Sequence, residues 1–214
     1  ARLSAGFSLR NLADQCGISA MAISKYERDE ITPSSEVLLA LGKALGVRVE
    51  YFFRQHEVEL QEVDYRKHPD LPEKEKKRIL ADVREQLERW LALEEFIPTR
   101  WSTRFRVPAG LPDKICSLDE VEAVASAVRN AWKLGQGAIP DLIDTLELHG
   151  IKVFATPYDG DLKFDGLWTI ASGKPVIVIG GKTWPGDRQR FTLAHELGHF
   201  MLKDRLAKPL LAHE

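Results

Sequence analysis

Two histidines four positions apart, His195 and His199, enclose a glutamate in the run His195-Glu196-Leu197-Gly198-His199. On a helix this spacing puts both imidazoles on one face, within reach of a single divalent ion. Neutral imidazole suits zinc, and such a pair spans about one edge of a tetrahedral site. The intervening Glu196 can reach a water on that ion, take its proton and later pass it to a leaving amine, which is metal-assisted peptide hydrolysis. Gly198 is expected to let another backbone or strand approach the helix beside the metal. The plain alternative is two exposed histidines that share a helix face and hold nothing. Against it, Phe191, Leu193, Ala194, Leu197, Phe200 and Met201 recur around the motif at helical spacing, as in a partly buried helix. A two-histidine site needs a third protein ligand. Asp204, His213 and Glu214 are the downstream donors, none in a recognisable motif, and the ligand is expected beyond Glu214, with this domain truncated at its carboxyl end.

A second set of residues suits a different task. Ser8 and Ser19 stand where helices should begin, and Gly17 lies between those helices, where a left-handed backbone angle is cheap for glycine. A scaffold helix from Ser8 to Gln15 and a second helix from Ser19 to Arg28, set against each other by the Gly17 turn, form a helix-turn-helix whose second member can enter the DNA major groove. By position, Ala20, Met21, Ala22 and Lys25 face base edges, while Ser8, Arg10, Ser19 and Arg28 are placed for phosphates. Ala-Met-Ala offers no bidentate hydrogen bond, so readout rests on thymine methyl groups, Lys25 and DNA shape. The segment from Ala1 to Tyr51 balances six basic against six acidic residues. Charge therefore does not separate a DNA binder from a protein-binding bundle of the same fold.

The elements that must hold these residues follow from periodicity. Residues 1–53 read as an all-helical bundle with Leu9, Leu12, Ala13, Ile18, Ile23, Tyr26, Leu38, Leu41 and Leu45 inside, and a first helix cut short at its start. Its third helix is expected to open with Thr32 as cap and Pro33 in the first turn, and to close at Gly46. From Glu57 to Lys77 the chain turns strongly charged, with Pro69 and Pro72, and reads as a connection. Ile79, Leu80, Val83, Leu87, Trp90, Leu91 and Phe96 then mark a long amphipathic helix ended by Pro98, whose stripe is expected to pack on its own second domain. Helices are expected at Leu118–Leu134 and Pro140–Leu148, the latter stopping at Gly150. Ile151–Phe154, Leu167–Ile170 and Pro175–Ile179 have strand composition, for a small mixed or antiparallel sheet. Asp187 is expected to cap the last helix, which carries the histidines.

The division is thus 1–53 helix-turn-helix, 54–103 charged linker and long helix, and 104–214 metallopeptidase-like domain. The fold class is an all-α bundle plus an α+β zincin-like domain with a small sheet, joined by a helical linker. Hydrophobic residues make up 44% of the 214, enough to build a core in each part. Cys16 and Cys116 are too few and too unrelated for a disulfide framework. No stretch approaches the roughly 18 unbroken apolar residues of a membrane span, and no leader opens the chain, so a cytoplasmic protein without a membrane partner is expected.

The run from Arg188 to His199, Arg-Gln-Arg-Phe-Thr-Leu-Ala-His-Glu-Leu-Gly-His, resembles the signature of the ImmA/IrrE metallopeptidase family. Leu134-Gly135, Ile139-Pro140-Asp141-Leu142, Leu146-Glu147, Gly150-Ile151-Lys152-Val153 and Phe164-Asp165-Gly166-Leu167 are similar to that family as well, so the likeness runs from about Arg104 to Phe200. The resemblance implies that His195 and His199 are zinc ligands and Glu196 the general base. It also implies a third ligand, usually a glutamate in a later helix, and site-specific cleavage of transcriptional repressors. Leu12-Ala13, Gly17-Ile18-Ser19, Ile23-Ser24, Tyr26-Glu27-Arg28, Thr32-Pro33 and Leu45-Gly46-Val47 resemble the XRE or Cro-repressor helix-turn-helix family over residues 1–53.

The leading expectation is a regulator that binds a double-stranded DNA operator through its first domain and cleaves a regulatory protein through a zinc site in its second. Two others fit the same residues: a non-proteolytic, antitoxin-like repressor with structural or sensory zinc, and a protease whose helix-turn-helix docks on another repressor. The oligomeric state stays open, with a homodimer on two half-sites as one arrangement.

Overall fold

In the computed structural model, residues 1–54, 58, 60–61, 71–96, 103–156, 164–180 and 185–207 are described. Contacts divide the chain into two units, Ala1–Val58 with Leu71–Leu93, and Glu59–Asp70 with Glu94–Glu214.

Serine hydroxyls start the short helices of the first unit. Helix α1 (Leu9–Cys16) is capped by Ser8, whose Oγ accepts from the Asn11 amide at 3.1 Å, and α2 (Ala20–Glu27) by Ser19, which accepts from the Ala22 amide at 3.1 Å. Each bond satisfies one of the amides that a helix start leaves without a carbonyl. Gly17 and Gly46 close α1 and α3 (Ser35–Leu45) at φ 65° and 66°. Beyond them the amides of Ile18 and Val47 return to the carbonyls of Ala13 and Gly42, the Schellman arrangement that a residue with a Cβ would strain. The cap of α3 is Ser34, accepting from Val37, and not Thr32 with Pro33 in the first turn, so the helix opens later than expected. Leu12, Ala13, Ile23 and Leu41 form the centre of the bundle, with Phe7, Leu9, Ile18 and Leu45 packed on it.

Helix α4 (Glu73–Phe96) carries the apolar stripe. It buries Ile79, Val83 and Leu87, while Leu93 and Phe96 at its end are exposed. Through Leu93 it is grouped with the bundle and not with the second unit, contrary to the expectation from its stripe. Pro69 and Pro98 lie outside the described residues. The segment expected to be mere connection also buries Val58 and Leu71 and contributes strand β1 (Leu60–Gln61) to the sheet.

Among the described residues the second unit sets three helices, α5 (Leu118–Ala131), α6 (Leu142–Leu148) and α7 (Gly186–Leu202), with a four-stranded mixed sheet. Strands β2 (Lys152–Ala155), β3 (Gly166–Ala171) and β4 (Lys174–Ile179) join β1 in the order β1-β3-β4-β2. β3 is antiparallel to β1 and β4, and β2 runs parallel to β4. Val176, Ile177, Val178 and Ile179 of β4 are all buried, as the unbroken β-branched run requires of a strand covered on both faces. Ile177 and Ile179 share a core with Trp168 of β3, Val128 of α5, Leu146 of α6 and Leu193 and Phe200 of α7. Leu118–Ala131 and Leu142–Leu148 are shorter than expected at one end each; Ser117 and Asp141 are their caps. Among the described residues no helix is long and apolar enough to cross a membrane.

Candidate functional site

Helix α7 turns the histidine spacing into geometry. His195 Nε2 and His199 Nε2 lie 3.0 Å apart, with ring centroids at 4.5 Å and planes at 86°. Two imidazoles bound to zinc at about 2.0–2.1 Å with tetrahedral angles would hold their nitrogens about 3.3 Å apart, so the pair converges almost as an ion requires. One ring N–H donating to the other nitrogen gives a similar separation. His195 is exposed and His199 half-buried, and the exposed Phe191 ring lies 6.0 Å from His195, nearly parallel to it. Among the described residues no set of three His, Cys, Asp or Glu side chains forms a metal site, so Asp204 does not complete this one. His213 and Glu214 lie outside the described residues.

Glu196 is only 4% exposed, although it stands between the two histidines. Its burial comes from β3. A Cβ placed on Gly166 would lie 2.8 Å from Thr192 Cγ2, 2.8 Å from the Val178 carbonyl oxygen and 3.2 Å from Glu196 Cγ. Only a residue without a side chain lets the first residue of β3 rest on the helix at the level of the glutamate. The close approach expected at Gly198 is therefore made at Gly166, since nothing among the described residues lies within 4 Å of where a Gly198 Cβ would be. In the sequence Gly166 stands out only within the family-like run Phe164–Leu167; a glycine opening a strand was the available signal of a close approach.

The amino end of α7 is tied down by two arginines of the same run. Arg188 Nη2 donates to Asp165 Oδ1 at 2.7 Å, and Arg190 donates to the carbonyls of Ile139 and Pro140. These bonds join three of the separated segments that resembled one family. Asp187, expected to cap the helix, instead lies in its first turn; Pro185 occupies the cap and makes no side-chain bond. An acidic residue there still favours the helix dipole.

In the first unit, α1 and α2 form the scaffold and second helix of a helix-turn-helix. On α2, Met21 is 63% exposed, Ala22 and Lys25 are half-buried, and Ala20 packs partly on the bundle core. Ser8 and Ser19 are engaged as caps. Arg28 donates to Glu30 at 2.6 Å, so any anion it meets competes with that carboxylate, and the pair raises the Arg28 pKa, first through the hydrogen bond. Arg10 is exposed and has no ion pair or side-chain hydrogen bond among the described residues.

Comparison with known families agrees with this architecture. Residues 1–52 match the helix-turn-helix family model, and residues 146–211 match the model of the IrrE N-terminal-like domain, a peptidase family. The chain joins these two domain types. No curated protein and no solved structure matches it.

Proposed function

We propose, for a chain that joins a helix-turn-helix to an IrrE N-terminal-like peptidase domain, that it is a DNA-binding regulator with a zinc-dependent endopeptidase domain acting on a regulatory or repressor protein. The observation that carries the hydrolytic half is the convergence of His195 and His199 at 3.0 Å beside a glutamate buried under the start of β3. The donor type and the convergence both fit zinc, which His195 and His199 would hold. Zinc, when bound, supplies Lewis acidity to the scissile carbonyl and lowers the pKa of water. Glu196 takes the proton of the attacking water as it adds to the acyl carbon, and delivers it to the amine nitrogen as the C–N bond breaks. The backbone of Gly166 lies against the Glu196 side chain, which limits the orientational freedom to be lost at the reaction. On the DNA side, α2 offers Ala20, Met21, Ala22 and Lys25 to the groove, and Ser8, Arg10, Ser19 and Arg28 contact phosphates.

Two measurements test the reading. Metal analysis of the full-length protein should find about one zinc per chain, lost in His195→Ala. Cleavage of a proteome-derived peptide library should disappear in Glu196→Gln with zinc retained; cleavage undiminished in that variant removes the assigned base. Zinc retained by a wild type that cuts nothing would favour a structural or sensory metal in a non-proteolytic repressor.

A further inference from the structure

A cleft of about 410 Å³ opens in the first unit between the amino end of α1 and the first turns of α4. Leu3, Phe7 and Leu9 give it a largely apolar lining, to which Arg2, Arg10, Lys74 and Arg78 add four cations and Ser8 the helix start. The four cations are not equivalent. Arg2 is spent internally: it grips both carboxylate oxygens of Glu27 at 2.6 and 2.8 Å and donates to the Phe7 carbonyl. Arg78 has Glu75 only at 3.9 Å, the outer limit of an ion pair, and its guanidinium lies against Gly6, where a Cβ would be 3.6 Å from Nε. Arg10 and Lys74 are exposed and have no ion pair or side-chain hydrogen bond among the described residues. A sphere of this volume is roughly 9 Å across, about one Debye length at physiological salt, so Arg10 and Lys74, the two without a carboxylate partner among the described residues, are only partly screened from each other, at a cost, when the cleft is empty.

Arg10 adds to that cost. It stands in the first turn of α1, where the helix dipole is positive and an anion is favoured, and the turn contains no acidic residue. Cations gathered at a positive helix end are made good by a bound anion. Its identity follows from the shared residues. Ser8 and Arg10 belong both to this cleft and to the scaffold helix, which in a helix-turn-helix crosses the DNA backbone. Phosphates of one strand rise 3.4 Å along the duplex axis and wind around it as they do, so a space of this size reaches about two of them.

We propose that this cleft is a second DNA-backbone contact, in which Arg10, Lys74 and Arg78 clamp successive phosphates and extend the footprint of the helix-turn-helix onto α4. The clamp rests on the DNA-binding reading above. It carries no base information, so it strengthens binding equally on any sequence.

The test is a salt titration of the full chain on two unrelated 30-base-pair duplexes, with folding of each variant followed by circular dichroism. Lys74→Ala with Arg78→Ala should lower the slope of log K against log salt by about 1.8, or 0.9 per contact, and weaken binding about 30-fold at 0.15 M salt on both duplexes. Lys74→Ala alone, at an exposed side chain that leaves the fold intact, should lower the slope by about 0.9. Lys74→Arg with Arg78→Lys should keep the slope, as should Lys43→Ala, outside the cleft. If the wild type binds and the alanine variants keep its slope, the clamp is overturned and DNA binding stands. A loss on one duplex only would also overturn it, by showing base readout. If the wild type binds neither duplex, the DNA-binding reading fails and takes the clamp with it.

Discussion

The bundle closes its elements within a few residues, whereas the sheet unit closes across much of the chain. Ser8 answers the amide of Asn11 three positions on, and Gly46 ends α3 with bonds inside the next turn. In the sheet unit, Thr169 Oγ1 donates to the Gln61 carbonyl 108 positions away, and Leu60 pairs with Ala171. The histidine pair belongs to the local kind of order, since a helix alone brings residues four apart together. The glutamate between them belongs to the other kind, because its burial depends on a strand that begins 30 positions earlier in the chain, at Gly166. The candidate site on α7 therefore combines a locally specified histidine pair with a carboxylate whose setting is tertiary.

That contrast can be broken by substitution. The largest effect is expected at Glu196 itself: Glu196→Gln should cost on the order of 10²–10⁴ in peptide cleavage while leaving zinc content and melting temperature nearly unchanged. A large fall in stability instead would show that the carboxylate is structural. Leu146→Ala empties a fully buried position beneath the sheet and should destabilise the second unit by about 3 kcal/mol in denaturant unfolding. Gly166→Val should cost about 2–3 kcal/mol, because the new side chain meets Thr192 and the Val178 carbonyl, and should also lower cleavage with both histidines intact. If cleavage is untouched, the setting of Glu196 does not depend on β3 and the contrast fails. The smallest effect sharpens the local side: Ser34→Ala should cost about 0.5–1 kcal/mol and Thr32→Ala almost nothing. The reverse order would return the cap of α3 to Thr32.

The two kinds of order also separate what could be read in advance. Ser8, Ser19, Gly17 and Gly46 announce helix ends because capping chemistry acts over three or four residues, and each stands where expected. The strands were legible as β-branched runs between turn residues, and their mixed pairing agrees with the small sheet expected. Where two cap candidates stood close together the choice failed: Thr32-Pro33 and Ser34 both begin helices well, as do Pro185 and Asp187, and propensity does not rank neighbours so near in sequence. The stripe on α4 was legible as a stripe, but a helix face does not state what covers it. Nor did the charges of Arg10, Lys74 and Arg78 stand out, since they come from segments more than sixty positions apart and meet only in the folded bundle.

What the amino-acid order determined by itself is whatever a few covalent neighbours can enforce: where helices start and stop, which runs prefer the extended state, and that two imidazoles share one face of α7. Only the tertiary structure decided that Leu60–Gln61 edge the sheet, that α4 through Leu93 groups with the bundle, and that Gly166 and not Gly198 allows the close approach beside Glu196. The reason is range. Backbone hydrogen bonds and caps act within a turn, so their pattern is written in adjacent residues, whereas burial is shared among segments whose partners the linear order leaves open.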